Sequence, residues 1–229
     1  VFMVQQPHEA LVMTAESLVQ TFAPVALPTD ATAPWESVVR RLAVHERPDE
    51  LDACQFVFAS PLVARSQPIK AYAHSSFPPG RPVLEGAVDL MGRIFRDFTY
   101  DKSATTVDTP VEQVLADRKG VCQDFAHLAI GGLRSLGLAA RYVSGYLETQ
   151  PPPGKPKLLG ADASHAWLSL FVPDAGWVDL DPTNNLIPGE KHVTLAGGRD
   201  YGDVTPVKGV VTGGGVHTLS VTVDVAARP

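Results

Sequence analysis

The hydrophobic pattern changes from the period of a helix to that of a strand near Gly137, and no other feature constrains the fold as strongly. From about residue 34 to residue 136, apolar residues recur at the spacing of one helix face, whereas beyond that point they alternate as in strands. Helices and strands that are segregated along the chain are typical of an α+β fold, with helices packed on an antiparallel sheet. The predicted helices begin at Trp35 and cover 82–98, 110–115 and 121–136; the predicted strands cover 140–146, 165–172, 177–180 and 216–226, with a proline-rich loop at 151–156.

The first 23 residues contain two short apolar runs, which predict a pair of strands ahead of the helices. The runs are Phe2-Met3-Val4 and Leu11-Val12-Met13, and the sequence Pro7-His8-Glu9 between them is suited to a turn. The chain begins with a valine and shows no basic region followed by an apolar region, so it does not resemble a signal peptide. We therefore expect a fragment or a processed chain.

The composition predicts a folded protein and argues against some classes of partner. Of the 229 residues, 45% are hydrophobic and 19% are charged, which is enough apolar material for a sizeable core. No apolar run approaches the roughly 20 residues of a membrane-spanning helix. A net charge of −6 argues against nucleic acid as a partner. The two cysteines, Cys54 and Cys122, cannot form a disulfide framework, which fits a reducing, cytoplasmic compartment. The oligomeric state is not predicted.

Cys122 is the strongest candidate for a reactive residue because of its place at a predicted helix start. Gly120 allows a sharp entry into the helix, and a thiol in the first turn faces free backbone N–H groups and the positive end of the macrodipole. Both effects favour the thiolate, which is the nucleophilic form of cysteine. The alternative is a buried structural thiol, the usual state of a free cysteine. We expect that state for Cys54, which lies in the apolar stretch 51–58.

A histidine and two aspartates on neighbouring predicted strands are candidate partners of this thiol. His165 lies at the start of one strand, and a short turn at 173–176 predicts that the next strand pairs with it antiparallel. An acid at the end of that next strand could accept a hydrogen bond from the imidazole and fix its tautomer. Asp181 and Asp179 are two residues apart and point the same way, so both remain candidates.

Two other chemistries fit the sequence less well. Zinc could use ligands among Cys122, Asp124, His127 and His165. However, Cys122 and His127 lie about 140° apart around a helix and cannot easily reach one ion. A serine nucleophile at Ser144 lacks the first glycine of the GxSxG motif.

Three blocks in residues 109–205 resemble the transglutaminase-like core of the papain-like thiol superfamily, and most closely its bacterial members. They are RKGVCQDFAHLAIGGLRSLGLAARYVSGY at 118–146, DASHAWLSLF at 162–171 and GWVDLDPTNN at 176–185. The resemblance implies a cysteine-protease-like α+β fold with a catalytic triad between a helix and an antiparallel sheet. The triad positions fall on Cys122, His165 and Asp181, so the resemblance favours Asp181 over Asp179.

The resemblance also implies a domain organisation. Residues 1–25 would be the C-terminal remnant of an N-terminal β domain. Residues 26–229 would be the catalytic domain, with a helical insert at about 34–80. The chain shows no acidic loop with EF-hand spacing, so calcium activation is not expected, and neither a cofactor nor a metal is predicted.

The implied activity is acyl transfer from an amide or peptide bond through a thioester, with a protein or peptide as substrate. Hydrolysis is favoured over transfer to an amine because no feature marks an amine site. Tyr100 is expected to line the cleft, and Trp167 to contact the substrate and shield the site from water. The alternative is a non-catalytic module that kept the fold and lost the activity.

Overall fold

The computed structural model describes residues 3–6, 8–24, 27–149, 163–210, 212–213, 216, 218 and 220–226. Within them, helices precede a sheet, as the change of hydrophobic period predicts. The helices are α1 (Trp35–Val44), α2 (Pro48–Cys54), α3 (Gln67–His74), α4 (Val83–Asp97), α5 (Val111–Asp117) and α6 (Cys122–Ser135). The strands are β1 (Thr99–Tyr100), β2 (Lys119–Gly120), β3 (Ala140–Leu147), β4 (Ala163–Val172), β5 (Gly176–Leu180) and β6 (His192–Gly198).

The four longer strands form one antiparallel sheet in the order β5-β4-β3-β6. A tight turn after Val172 joins β4 to β5, and Asp174 in that turn has a positive φ of 69°. In the register of the sheet, Gly145 of β3 lies opposite His165 of β4. The two shortest strands, β1 and β2, pair in parallel beside the start of α6. The α+β fold class, with helices on an antiparallel sheet, is confirmed.

Helix α6 lies at the centre of the fold, between the sheet and the other helices. Nearly all of its residues are buried, so it is not a surface helix with a single apolar stripe. Gly132 lets α3 approach closely, since a Cβ there would lie 2.7 Å from the Cβ of Ala73. Gly137, with φ of 89°, ends the helix and turns the chain into β3.

The predicted helical insert at about 34–80 contributes to the same core as the rest of the chain. Val38 and Leu42 of α1 and Ile69 and Ala73 of α3 are buried in the hydrophobic cluster that also holds α6 and the sheet. The division of the chain into domains stays a prediction.

Arg134, near the end of α6, is a fully buried cation that links three parts of the chain. Its guanidinium donates to the carbonyl of Ala140 at 2.8 and 3.0 Å, to the carbonyl of Arg199 at 2.7 Å and to the hydroxyl of Ser60 at 3.2 Å. Burial lowers the pKa of Arg134 to about 10, so the side chain remains charged at neutral pH. It fixes the end of α6 against the start of β3 and the loop after β6.

Two predicted strand regions do not form strands in the described residues. Residues 3–6 and 8–24 have no regular structure, and Val12 there is 86% exposed. An isolated strand pair with no sheet to pack against is marginal in water, so apolar alternation there has no partner. In the described part of 216–226, Val223 is a single bridge residue and Val216 is exposed. Phe2, Pro7 and the predicted loop at 151–156 lie outside the described residues.

No helix in the described part of the chain is both long and apolar enough to cross a membrane. The cytoplasmic location stays a prediction.

Candidate active site

Cys122 is the first residue of α6, and the chain around it is held by a buried carboxylate two residues further on. Asp124 accepts hydrogen bonds from the backbone N–H of Val121 at 2.8 Å and from the hydroxyl of Thr105 at 2.6 Å. Burial raises the pKa of Asp124, and these two donors oppose the rise. Gly120 makes room for the carboxylate, since a Cβ there would lie 2.7 Å from its oxygen. The helix start, and with it the partly exposed thiol, is therefore fixed in place.

His165, near the start of β4, is the imidazole that meets this thiol. Its Nε2 lies 2.7 Å from Oδ2 of Asp181, and its side chain also hydrogen-bonds Cys122. Because Nε2 faces the carboxylate, Nδ1 is the ring nitrogen left for the sulfur. Burial lowers the pKa of His165, but the bonds and charges of Asp181 and Cys122 outweigh it and raise the pKa to about 9. At neutral pH the ring is an imidazolium.

Asp181 follows β5 directly, is fully buried and accepts five hydrogen bonds from the described residues. Its Oδ1 accepts from the backbone N–H groups of Thr183 at 2.9 Å and Asn184 at 3.2 Å. Its Oδ2 faces three side-chain nitrogens: Nε2 of His165 at 2.7 Å, Nδ2 of Asn184 at 2.7 Å and Nε2 of His192 at 3.1 Å. Burial raises the pKa of Asp181, yet these donors and the His165 charge hold it far below its usual range. The group is a carboxylate throughout the neutral range.

The second candidate acid, Asp179, has a different partner. It accepts a hydrogen bond from the indole N–H of Trp167 at 3.1 Å. The acid that meets the imidazole is Asp181. Asp181 and Asp179 therefore bind different side chains, those of His165 and Trp167, at the end of the same strand.

Trp167 lies beneath the imidazole and is completely buried. The indole presents no surface in this structure, and a contact with the substrate stays a prediction. Its ring centroid lies 6.0 Å from that of His165 and 5.3 Å from that of His192, so it supports both imidazoles. Gly145 makes room for the indole: a Cβ at this position would overlap the ring and the carbonyl of Val193.

Tyr100 lies in β1, with its ring 46% exposed and edge-on to Phe125. Burial, followed by the charge of Cys122, raises the pKa of this phenol, which places the ring in the neighbourhood of the thiol. A role for Tyr100 in lining the cleft stays a prediction.

Two contacts of the site were not predicted from the sequence, those of His192 and Asn184. Asn184 lies within the block GWVDLDPTNN, and its amide Nδ2 lies 2.7 Å from Asp181 and 3.3 Å from Nε2 of His165. His192 begins a strand whose sequence, HVTLAGG, has neither a long alternation nor a motif to signal it. Only the pairing of β6 with β3 brings it to the site.

The zinc set considered from the sequence is not assembled. Asp124 binds the helix start, while His127 accepts from the backbone N–H of Tyr201 at 3.2 Å. Among the described residues, the side chains that could together hold one ion are those of His165, Asp181 and His192, whose ligand atoms lie within 4.8 Å of one another. In the structure these atoms already hydrogen-bond one another, so an ion would have to replace those bonds.

Helices packed on an antiparallel sheet in this arrangement are similar in structure to transglutaminase-like cysteine protease domains. Sequence and structure comparisons agree with this class. The sequence profile of the Transglutaminase-like superfamily matches residues 70–182, which include Cys122, His165 and Asp181. The chain belongs to the transglutaminase-like superfamily.

Two relatives and one solved structure show how similar this chain is to known proteins. An uncharacterized protein of Mycobacterium tuberculosis is 42% identical over 235 residues, covering 98% of this chain and 72% of that protein. A Pseudomonas aeruginosa protein-glutamine gamma-glutamyltransferase is 31% identical over 124 residues, covering 49% of this chain and 19% of that enzyme. The structure of a Cytophaga hutchinsonii protein, described as a candidate cysteine protease, superposes with a TM-score of 0.58 at 27% identity. That alignment covers 71% of this chain and 51% of the other, so the chain spans about half the length of that structure.

Proposed function

We propose that the protein is a cysteine-nucleophile acyl-transfer enzyme that acts on amide or peptide bonds, with Cys122, His165 and Asp181 as its catalytic triad. The observation that carries the proposal is the continuous hydrogen-bonded chain from thiol to imidazole to buried carboxylate. A structural thiol needs no imidazolium beside it, and a structural histidine needs no fully buried carboxylate. The family supports the same chemistry, since its relatives include a glutamine acyltransferase and a candidate cysteine protease.

In the first half of the proposed reaction, the Cys122 thiolate attacks the carbonyl carbon of the amide. A C–S bond forms and the carbonyl oxygen becomes an oxyanion, to which the backbone N–H of Cys122, free at the helix start, can donate. His165 then gives its Nδ1 proton to the departing nitrogen, the C–N bond breaks, and a thioester and a free amine remain. Asp181 holds the imidazole in the required orientation and stabilises its positive charge.

In the second half, the neutral His165 accepts a proton from the attacking group as that group adds to the thioester. Water yields a carboxylic acid and regenerates the thiol, whereas a primary amine yields a new amide. We propose hydrolysis as the main reaction, because the three carboxylates described at the site already have partners: Asp181 accepts from two imidazoles and an amide, Asp179 from the indole of Trp167, and Asp124 from the helix start, so none of the three is left to bind an amine cation.

The nucleophile can be tested without knowing the substrate. In the wild-type protein, iodoacetamide near neutral pH should modify Cys122 much faster than Cys54, which is also a free, partly buried thiol and serves as an internal reference. His165→Ala should remove the selectivity, and His8→Ala, at an exposed site, should keep it. Equal and slow modification of the two cysteines in the wild-type protein would instead support the non-catalytic module.

The reaction type can be tested with a panel of peptides and casein, incubated with and without a primary amine and read by mass spectrometry. Cleavage products that do not change with the amine would support proteolysis. A mass increase equal to the amine less ammonia would show transfer and would refute hydrolysis as the main reaction. Cys122→Ser is the control, and any product that persists in that variant does not come from the proposed triad.

A further inference from the structure

His192 is the first residue of β6 and lies on the far side of β3 from His165. In the register of the sheet, Leu147 pairs with both His192 and Ala163. Directly paired residues point to one face and residues two apart share it, so His192 projects to the same face as His165. Its side chain is 5% exposed, and its Nε2 lies 3.1 Å from Oδ2 of Asp181. A second imidazole thus reaches the carboxylate from the opposite strand.

The same indole packs against both imidazoles. Trp167 meets the His192 ring edge-on, at 87° and 5.3 Å, and the His165 ring at 35° and 6.0 Å. The two imidazole centroids are 5.9 Å apart. His192 is therefore held by packing as well as by its hydrogen bond, and it keeps a single geometry relative to the carboxylate.

The other ring nitrogen of His192 indicates which tautomer is present. Its Nδ1 is buried, and the described residues offer it no hydrogen-bond partner. A proton on a buried, unpartnered nitrogen is costly, whereas the Nε2–H tautomer places its proton on the side of Asp181. His192 thus acts as a donor to the carboxylate.

The backbone N–H groups of Thr183 and Asn184 anchor Oδ1 of Asp181, so the alignment of Oδ2 with the imidazole depends on the donors on either side of His165. In the structure, His192 and Asn184 flank the position of His165 on that oxygen. We infer that His192 is a positioning residue that, through its Nε2–H, holds the carboxylate of Asp181 in register with His165. The inference rests on the proposed function, because it assigns the residue a task in the same triad.

The consequence is a change in how readily Cys122 reacts at mildly acidic pH. The groups that face His165 are Asp181 after β5, Cys122 at the start of α6 and His192 on β6, with the neutral Asn184 beside them. When the carboxylate is misaligned, it holds the imidazolium less well. The imidazolium is then less well placed to support the sulfur as a nucleophile, and the loss should be largest at mildly acidic pH, where a thiol without such a partner reacts slowly.

The test compares alkylation of Cys122 by iodoacetamide at pH 6 and at pH 10 in the full chain. His192→Leu, which keeps much of the volume and lacks a donor, should react about tenfold more slowly than wild type at pH 6. At pH 10, where alkylation of a thiol no longer depends on an imidazolium partner, the two rates should converge. His192→Gln, which restores an N–H donor, should recover most of the rate at pH 6, and the exposed His8→Leu should not change it.

The outcomes separate this inference from the proposed function. If iodoacetamide does not modify wild-type Cys122 faster than Cys54 at pH 6, the proposed function is refuted. If it does, and His192→Leu matches wild type at pH 6, the role of His192 is refuted while the proposed function stands. Should the leucine variant fail to fold, ¹⁵N-histidine NMR of the wild-type protein decides: the inference requires a protonated Nε2 and a bare Nδ1 on His192, and the opposite tautomer overturns it.

Discussion

The charge of Asp181 should make the stability of the protein depend on pH in a defined window. The pKa of His165 rises from 6.5 to about 9 in the fold, and this rise is worth about 3 kcal/mol at roughly 1.4 kcal/mol per unit. The folded state then binds a proton that the unfolded chain has lost, so stability falls as pH increases. The contribution is complete below pH 6.5 and is lost as pH passes through about 9.

The perturbation is Asp181→Asn, measured in a Cys122→Ser background so that the thiol at the site does not titrate. The amide cannot stabilise the imidazolium, and burial, the largest influence on this group, then lowers the pKa of His165 below its ordinary value. Urea unfolding at pH 6 and pH 9.5 gives the free energy of unfolding in each chain. Between pH 6 and pH 9.5, the free energy of unfolding of the chain with Asp181 should fall by up to about 3 kcal/mol. The fall should be somewhat smaller than that, because Cys122 contributes to the raised pKa of His165 and is absent from this background.

Two features of the structure let the comparison of variants isolate His165. Burial lowers the pKa of His127 to about 4, so the unfolded chain still binds a proton there at pH 6 and His127 adds a rise in stability that is the same in every variant. Asp181 itself has a lowered pKa, so its contribution is lost only when pH falls well below this range. His165→Ala in the same background should also remove the decline, and it provides the comparison if the asparagine variant does not fold. Equal declines in the chains with Asp181 and Asn would refute the reasoning.

Three further predictions concern packing and capping. Gly145→Ala places a methyl group against a buried indole and a carbonyl, so it should lower stability by about 3 kcal/mol or more, while Gly209→Ala, in open space, should change little in thermal unfolding. Arg134→Met removes a donor from three acceptors and should cost about 2–4 kcal/mol in urea unfolding, whereas Arg199→Ala, which loses an exposed ion pair, should have a much smaller effect. Asp124→Ala should cost about 1–2 kcal/mol and slow alkylation of the thiol, and Asp124→Asn, which can still cap the helix, should restore much of both; no difference between the two variants would contradict the capping role.

The elements that carry the triad could be predicted because each depends on local sequence. A helix starting near Cys122 follows from Gly120 and the apolar run that ends at Gly137, and the structure has α6 at Cys122–Ser135. The strand at His165 follows from the apolar run that ends at the turn 173–176, and that turn predicts its pairing with the next strand. Short-range patterns of this kind survive in the fold because tertiary contacts agree with them.

The elements that could not be predicted depend on which strands find partners. Residues 216–226 alternate strictly, yet the described residues there form no strand, whereas the poorly alternating HVTLAGG of β6 pairs with β3. Alternation indicates that one face could be buried, but only a neighbouring edge of the sheet decides whether it is. For the same reason, the sequence does not predict that His192 approaches Asp181. One residue begins β6 and the other follows β5, and these two strands lie at opposite edges of the sheet.

The linear sequence determined the α+β class, the helix that begins with a thiol, and the strand and turn that bring a histidine and an acid to its end. Local pattern left Asp179 and Asp181 as candidates, which only the family resemblance separated, and it placed Trp167 beside the histidine as a residue that shields the site. The tertiary structure assigned Asp181 to His165 and Asp179 to Trp167, buried the indole, and brought His192 to the carboxylate. The physical reason is that a hydrogen bond between side chains on different strands depends on register and burial, which are set by the whole sheet and not by the residues on either side of each group.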